Sequence, residues 1–103
     1  MSEKVAVIAR ITVRDDGLDV AEAALRALVE ATASEEGAVE YVLHREGDTA
    51  SFWFYEVYAD QAAFDAHGQS PALPEAFGKL GGLLAEPPEL HILTPLAATH
   101  LSV

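Results

Sequence analysis

Apolar and polar residues alternate along several stretches of the chain, which is the pattern of β-strands. We predict four strands, over residues 4–13, 39–46, 51–58 and 89–96. Two other stretches repeat their apolar residues every three or four positions, as helices do, over residues 18–35 and from residue 71 to about 85. A shorter helix is expected to begin at Gln61, because Asp60 offers a carboxylate to the free N–H groups of its first turn.

This order of elements, β-α-β-β-α-α-β, predicts an α+β fold. It is typical of the split β-α-β or ferredoxin-like arrangement, in which helices cover one face of a four-stranded antiparallel sheet. The chain has 103 residues, the size of one ordinary domain, and its sequence contains no repeat or linker. We therefore predict a single domain over residues 1–103.

The third predicted strand carries large aromatic residues on both of its faces. Phe52, Phe54 and Tyr58 point to one side of the sheet, and Trp53 and Tyr55 point to the other. A chain of this length can cover one face with its own helices, so the second face needs another cover. A second copy of the chain is the simplest one. We expect a homodimer formed sheet against sheet, as in a dimeric α/β barrel.

Composition excludes several classes of function. The formal net charge of −11, from 17 acidic and 6 basic residues, disfavours binding to nucleic acid or to anionic membranes. The absence of cysteine rules out disulfides and thiolate chemistry and fits a reducing compartment. No apolar run approaches the roughly 20 residues of a membrane-spanning helix, and the N-terminus does not resemble a secretion signal. We expect a cytoplasmic protein.

Motifs for metals, nucleotides and nucleophilic serines are missing. No glycine-rich phosphate loop precedes a helix, and no serine lies in a nucleophile elbow. The four histidines do not have the spacing of a metal site; they are His44, His67, His91 and His100. We expect neither a metal nor a cofactor.

His67 is the candidate catalytic residue. It shares an apolar helical face with Ala63 and Phe64, directly after the aromatic strand. A pocket of aromatic groups with one imidazole suits a flat phenol or quinol, because neutral histidine can accept a phenolic proton near neutral pH. The resulting phenolate is electron-rich enough to donate to oxygen. The alternative is that His67 only packs on Phe64, which is the commoner role of a lone histidine on an apolar face.

Two further polar residues lie within predicted strands. Arg10 interrupts an apolar strand and is expected to pair with a nearby carboxylate such as Glu56, since charges are seldom buried alone. His44 is either an acid or base at a pocket or a partly exposed strand residue.

The chain resembles the antibiotic biosynthesis monooxygenase (ABM) domain family of dimeric α+β barrels. The most specific segment is FWFYEVYADQAAFDAHGQSP, which is similar to the family's aromatic strand, acidic turn and short helix. The segments EEGAVEYVLHRE and LLAEPPELHILTPL are similar to its second strand and its closing helix and strand. The family includes cofactor-free oxygenases of phenolic polyketides and quinols, haem-degrading enzymes and members without a known substrate.

The resemblance separates these branches. Haem-degrading members carry an asparagine, a tryptophan and a haem-ligating histidine at positions that correspond here to Ala9, His67 and Phe77. All three differ, so haem degradation is disfavoured. Oxygenases of phenolic polyketides carry a tryptophan at the position of His67, whereas the quinol-type members share the histidine.

The resemblance implies a cofactor-independent monooxygenase that oxidises a quinol or related phenol with O2. His67 is its candidate base, and seven side chains are candidates for substrate binding: Tyr41, His44, Trp53, Tyr55, Tyr58, Phe64 and Phe77. Strand parity places some of these in the expected dimer interface. Two alternatives stay open, namely an isomerase or lyase for a small aromatic compound or lactone, and a non-catalytic ligand-binding dimer.

Overall fold

The computed structural model describes residues 3–103 and forms a four-stranded antiparallel sheet with helices on one face. The strands are β1 (Val5–Thr12), β2 (Ala38–Arg45), β3 (Ser51–Tyr58) and β4 (Glu89–Leu93). The helices are α1 (Leu18–Thr32), α2 (Gln61–Gly68) and α3 (Ala72–Leu80), with single 3-10 turns at Asp15–Gly17 and Gly81–Leu83. The predicted α+β, ferredoxin-like fold is confirmed.

The strand order in the sheet is β2-β3-β1-β4. β3 lies at the centre and pairs with β1 over its full length, from Val5 opposite Tyr58 to Thr12 opposite Ser51. β2 pairs with the other edge of β3 and is itself an edge strand. β4 pairs with β1 at the opposite edge and is exposed along its whole length.

The core lies between the sheet and α1, with α3 packed on α1. The stripe that periodicity predicts on α1 is buried, with Leu25 and Leu28 at its centre. Phe52 and Phe54 from β3 face this stripe and are at most 2% exposed. Burying such side chains stabilises the fold by about 1.5–3 kcal/mol each.

Three elements are shorter than the patterns predict. α1 ends at Thr32 rather than Glu35, where the Thr32 hydroxyl donates to the Leu28 carbonyl at 2.8 Å. α3 ends at Leu80, because Gly81 follows with a positive φ of 30° that turns the chain out of the helix. β4 ends at Leu93, which pairs with Ala6 near the start of β1, so the strand has no partner beyond it.

Gly37 lies five residues after the end of α1 and directly before β2. It allows a close approach of the chain to α2. A Cβ atom at this position would lie 2.4 Å from the Cβ of Ala63, so the start of β2 can pack directly on α2 only through glycine. The Ala59 N–H also donates to the Gly37 carbonyl at 2.8 Å. These contacts fix α2 against the sheet.

Within residues 3–103, no helix is both long and apolar enough to cross a membrane.

Candidate functional site

His67 is carried by the last turn of α2 and points into the protein. Asp60 caps this helix as predicted, since its carboxylate accepts a hydrogen bond from the Ala63 N–H at 2.8 Å. Only 6% of the His67 side chain is exposed. The imidazole therefore lies in a largely water-free environment, between the helix and the sheet.

Glu35 is the hydrogen-bonding partner of this imidazole. Its Oε1 atom lies 2.8 Å from Nδ1 of His67. Glu35 belongs to the turn between α1 and β2, where its own N–H donates to the Thr32 carbonyl at 2.9 Å. Sequence analysis missed this residue, because 32 positions separate it from His67 and neither helical nor strand periodicity relates the two.

Aromatic rings surround the imidazole. The ring centroid of His67 lies 5.0 Å from that of Tyr41 on β2 and 5.3 Å from that of Tyr58 on β3. Phe64, one turn earlier on α2, packs edge-on against Tyr58 at 5.5 Å. The structure thus brings three of the seven candidate substrate-binding residues to His67.

A second carboxylate, Glu56, lies buried on the same helix-facing side of β3. Tyr58 donates its hydroxyl to Oε1 of Glu56 at 2.5 Å. Burial raises the pKa of Glu56, and this rise is only partly offset by the Tyr58 hydrogen bond and the nearby His67. Burial also raises the pKa of both Tyr41 and Tyr58, with Glu56 adding to each rise, so both phenols stay protonated and can donate hydrogen bonds.

The predicted pairing of Arg10 with Glu56 is wrong. Arg10 lies on the opposite face of the sheet, where its guanidinium is 3.1 Å from carboxylate oxygens of both Glu86 and Glu89. Strand parity explains the difference, because Arg10 is paired with Trp53 in the sheet while Glu56 is paired with Val7. Glu56 instead lies near His67, so the imidazole has two carboxylates close to it, those of Glu35 and Glu56.

The other four candidates do not surround His67. Trp53 and Tyr55 point to the helix-free face of the sheet, as does His44, whose Nδ1 atom lies 3.2 Å from the Trp53 carbonyl. The Trp53 indole donates to Glu46 at 2.6 Å. Phe77 lies on α3 and packs against the core. Substrate binding by these four residues stays a prediction.

The cluster around His67 is largely buried. The surface cavities of residues 3–103 include three of about 370–460 Å³, and none of these three is lined by His67, Tyr58 or Phe64. Tyr41 alone connects the cluster to one of them, a groove of about 450 Å³ between α1 and β2. Among residues 3–103 there is no group of three or more histidine and acidic side chains arranged to hold a metal ion.

This arrangement is suited to proton transfer with a phenolic compound. If Nδ1 of His67 donates to Glu35, the other ring nitrogen is left as a proton acceptor. The carboxylate then holds the ring in one orientation and stabilises the charge that forms when the ring takes up a proton. The protonated Tyr41 is a hydrogen-bond donor beside it, whereas Tyr58 already donates its one hydroxyl hydrogen to Glu56. The cluster therefore contains a base, a residue that orients it and one donor for an oxyanion.

Comparison with known proteins agrees with the fold. The family model described as antibiotic biosynthesis monooxygenase matches residues 4–79, which include His67 and all its ring neighbours. The chain belongs to this family.

Several relatives have the same fold. The structure of Rv0793 from Mycobacterium tuberculosis is 32% identical, with a TM-score of 0.86, and the match covers 93% of this chain and 98% of that one. PA3566 from Pseudomonas aeruginosa is 30% identical, with a TM-score of 0.85, over 94% and 98% of the two chains. An uncharacterised protein from Synechocystis, sll1783, is 33% identical over 91 residues. That match covers 87% of this chain and 62% of the relative's length.

Proposed function

We propose that the protein is a cofactor-independent monooxygenase that oxidises a quinol or related phenol with O2. The observation that carries this proposal is the hydrogen bond between Glu35 and His67, buried between the rings of Tyr41 and Tyr58. A lone packed histidine needs only a carbonyl or water as its partner. A carboxylate on Nδ1 is instead typical of a histidine that takes up a proton during a reaction.

The reaction begins with proton transfer. His67 accepts the phenolic proton of the substrate at the ring nitrogen that does not face Glu35, and Tyr41 donates a hydrogen bond to the phenolate that forms. The electron-rich phenolate transfers electrons to O2 and a C–O bond forms, which gives a peroxide anion. The protonated imidazole returns its proton to this peroxide, which becomes a hydroperoxide. The O–O bond and the C–H bond at the oxygenated carbon then break, which leaves a carbonyl group and releases water. A quinol and O2 thus give a hydroxyquinone and water, and the quinol supplies all four electrons.

Haem degradation has no support from the residues. The position where a haem ligand would be expected is Phe77, and this side chain packs against the hydrophobic core. Ala9, at the position of the expected asparagine, is 8% exposed within the same core.

We also propose that the protein acts as a homodimer formed through the helix-free face of the sheet. Large apolar residues on this face are exposed to solvent, including Tyr55 at 37%, Val42 at 40% and Leu93 at 44%. They lie on β3, β2 and β4 of the one sheet and belong to a surface of the kind that partners usually cover. Arg10, with its two carboxylate partners, lies at the β1–β4 side of this face.

The test is oxygen uptake with a panel of hydroquinones, corrected for autoxidation in the absence of enzyme. We expect saturable uptake by the wild type and a loss of about 10²–10⁴-fold in His67→Ala, the usual contribution of a general base. Glu35→Gln should lose activity while keeping its fold. His100→Ala is the matched control, since His100 is exposed and lies after β4, outside the sheet and the cluster.

Other outcomes would point to other functions. Uptake that survives both substitutions would keep the reaction and reduce His67 to a packing role. Turnover without oxygen would indicate an isomerase or lyase. Ligand-induced stabilisation without any turnover would indicate a binding protein.

A further inference from the structure

The groove between α1 and β2 has the size of a small-molecule site. Its volume of about 450 Å³ falls within the usual range for such sites. α1 contributes one helical face to it, which includes Arg26 and Val29. Two carboxylates of α1 also line the groove, namely Glu22, which is paired with Arg26, and Glu30. β2 contributes the side chains that face the helices, from Tyr41 at one end to Arg45 at the other.

Tyr41 connects this groove to the buried cluster. Its ring lines the groove and also lies 5.0 Å from the ring of His67, between centroids. Because His67 itself lines none of the three cavities, a ligand in the groove meets the cluster first at Tyr41. This end of the groove is therefore where the reacting part of a substrate would lie.

The opposite end of the groove carries the positive charge of Arg45. Arg10, Arg14 and Arg26 each have a carboxylate within 4 Å. Among residues 3–103, Arg45 is the one arginine that does not. Its Nε donates to the Thr49 carbonyl at 3.0 Å, which fixes the side chain and leaves both terminal nitrogens for another partner. In a chain of net charge −11, a guanidinium without a carboxylate is unexpected.

The spacing defines the size of a ligand that reaches both ends. Tyr41 and Arg45 are four residues apart on the same side of β2, a separation of about 13 Å between their Cα atoms. The long arginine side chain reaches toward Tyr41, so the gap between the guanidinium and the Tyr41 ring is shorter than the Cα separation. A two-ring aromatic compound with an anionic substituent is long enough to span this gap, with apolar contacts to Phe52 and Val29.

We propose that this groove binds the substrate and selects an aromatic acid, with its carboxylate on Arg45 and its phenolic ring at Tyr41. Arginine binds carboxylates through two parallel hydrogen bonds, which gives both affinity and orientation. The inference rests on the proposed function for the reaction, and it adds the chemical class of the substrate.

The experiment is calorimetric titration with a matched pair of probes, 6-hydroxy-2-naphthoate and 2-naphthol, under nitrogen at pH 7. The two probes differ only in the carboxylate. We expect the wild type to bind the naphthoate at least tenfold more tightly. Arg45→Gln should bind both probes within about twofold of each other and keep its affinity for 2-naphthol.

Arg14→Gln is the control, because it changes the net charge of the protein by the same amount at an exposed arginine outside the groove. It should retain the tenfold preference. The proposal would be overturned by any of three results: equal binding of the two probes by the wild type, binding of neither probe, or a preference for the carboxylate that survives in Arg45→Gln.

The result is separable from the oxygen-uptake test, because binding is measured without turnover. If the carboxylate preference depends on Arg45 but no quinol supports oxygen uptake, the proposed monooxygenase activity is refuted and the proposed class of ligand is kept. If oxygen uptake depends on His67 but Arg45→Gln does not change binding, the monooxygenase activity is kept and the class of ligand is refuted.

Discussion

Replacing Tyr58 with phenylalanine would remove one hydroxyl from the most buried part of the site. Tyr58 is 0% exposed and Glu56 is 6% exposed, and the hydrogen bond between them is 2.5 Å long. Phenylalanine keeps the ring and its contacts with His67 and Phe64. The substitution therefore tests the hydrogen bond rather than the packing.

The expected cost follows from this burial. A buried polar group that loses its partner costs about 1–3 kcal/mol, and more when the group is charged. We expect Tyr58→Phe to lower the free energy of unfolding by about 2–3 kcal/mol at pH 8. In a domain of this size, 1 kcal/mol corresponds to about 4–8 °C in Tm, so the melting temperature should fall by roughly 10 °C or more.

The cost should depend on pH in a defined direction. Burial raises the pKa of Glu56 in the folded protein above its ordinary value near 4.5. The stability that its neutral form contributes is therefore present in acid and is lost as the pH rises through the folded pKa. The Tyr58 hydroxyl lowers that pKa, so Tyr58→Phe raises it further. The difference between variant and wild type should grow from pH 4.5 to pH 8.

The assay is urea unfolding of both proteins at pH 4.5 and pH 8, at one fixed concentration because a dimer unfolds in a concentration-dependent way. Tyr55→Phe is the control, since it removes a hydroxyl from the same strand on the exposed face. A loss below about 0.5 kcal/mol at both pH values, or a larger loss in acid, would show that Glu56 does not depend on Tyr58.

Two further predictions concern packing and assembly. Gly37→Ala should lower the free energy of unfolding in urea by about 1–3 kcal/mol, because the new Cβ would lie 2.4 Å from that of Ala63. Gly78→Ala in α3 is the control; its Cβ would meet nothing within 4 Å, so it should be neutral or stabilising, and equal effects of the two substitutions would contradict the prediction. Tyr55→Lys should turn the proposed dimer into a monomer in light scattering at micromolar concentration without unfolding it. A wild type that is already monomeric would refute the dimer.

Much of the fold could be predicted from the sequence, because its elements carry regular patterns. Alternation located all four strands to within a few residues, and the buried stripe of α1 is the one that its periodicity predicts. Asp60 marked the start of α2 because an N-cap is a local interaction. The ends of α1, α3 and β4 were less predictable, since they depend on where neighbouring strands end and on the conformation of single residues such as Gly81.

The site was predictable only in part. His67, Tyr58 and Phe64 could be placed together, because a strand and the helix that directly follows it are neighbours in both sequence and space. Glu35 could not, because it comes from a turn 32 residues earlier. Glu56 was assigned to the wrong partner, since alternation within each strand does not show which residues of two strands lie opposite one another.

The sequence by itself therefore determined the elements, their order and the family, which all depend on local pattern. Only the tertiary structure decided which carboxylates meet the imidazole. It also decided that His44, Trp53 and Tyr55 lie on the opposite face of the sheet from His67. The physical reason is that a side chain's environment depends on contacts between distant segments. Such contacts form when helices pack on one face of the sheet, and no local pattern records them.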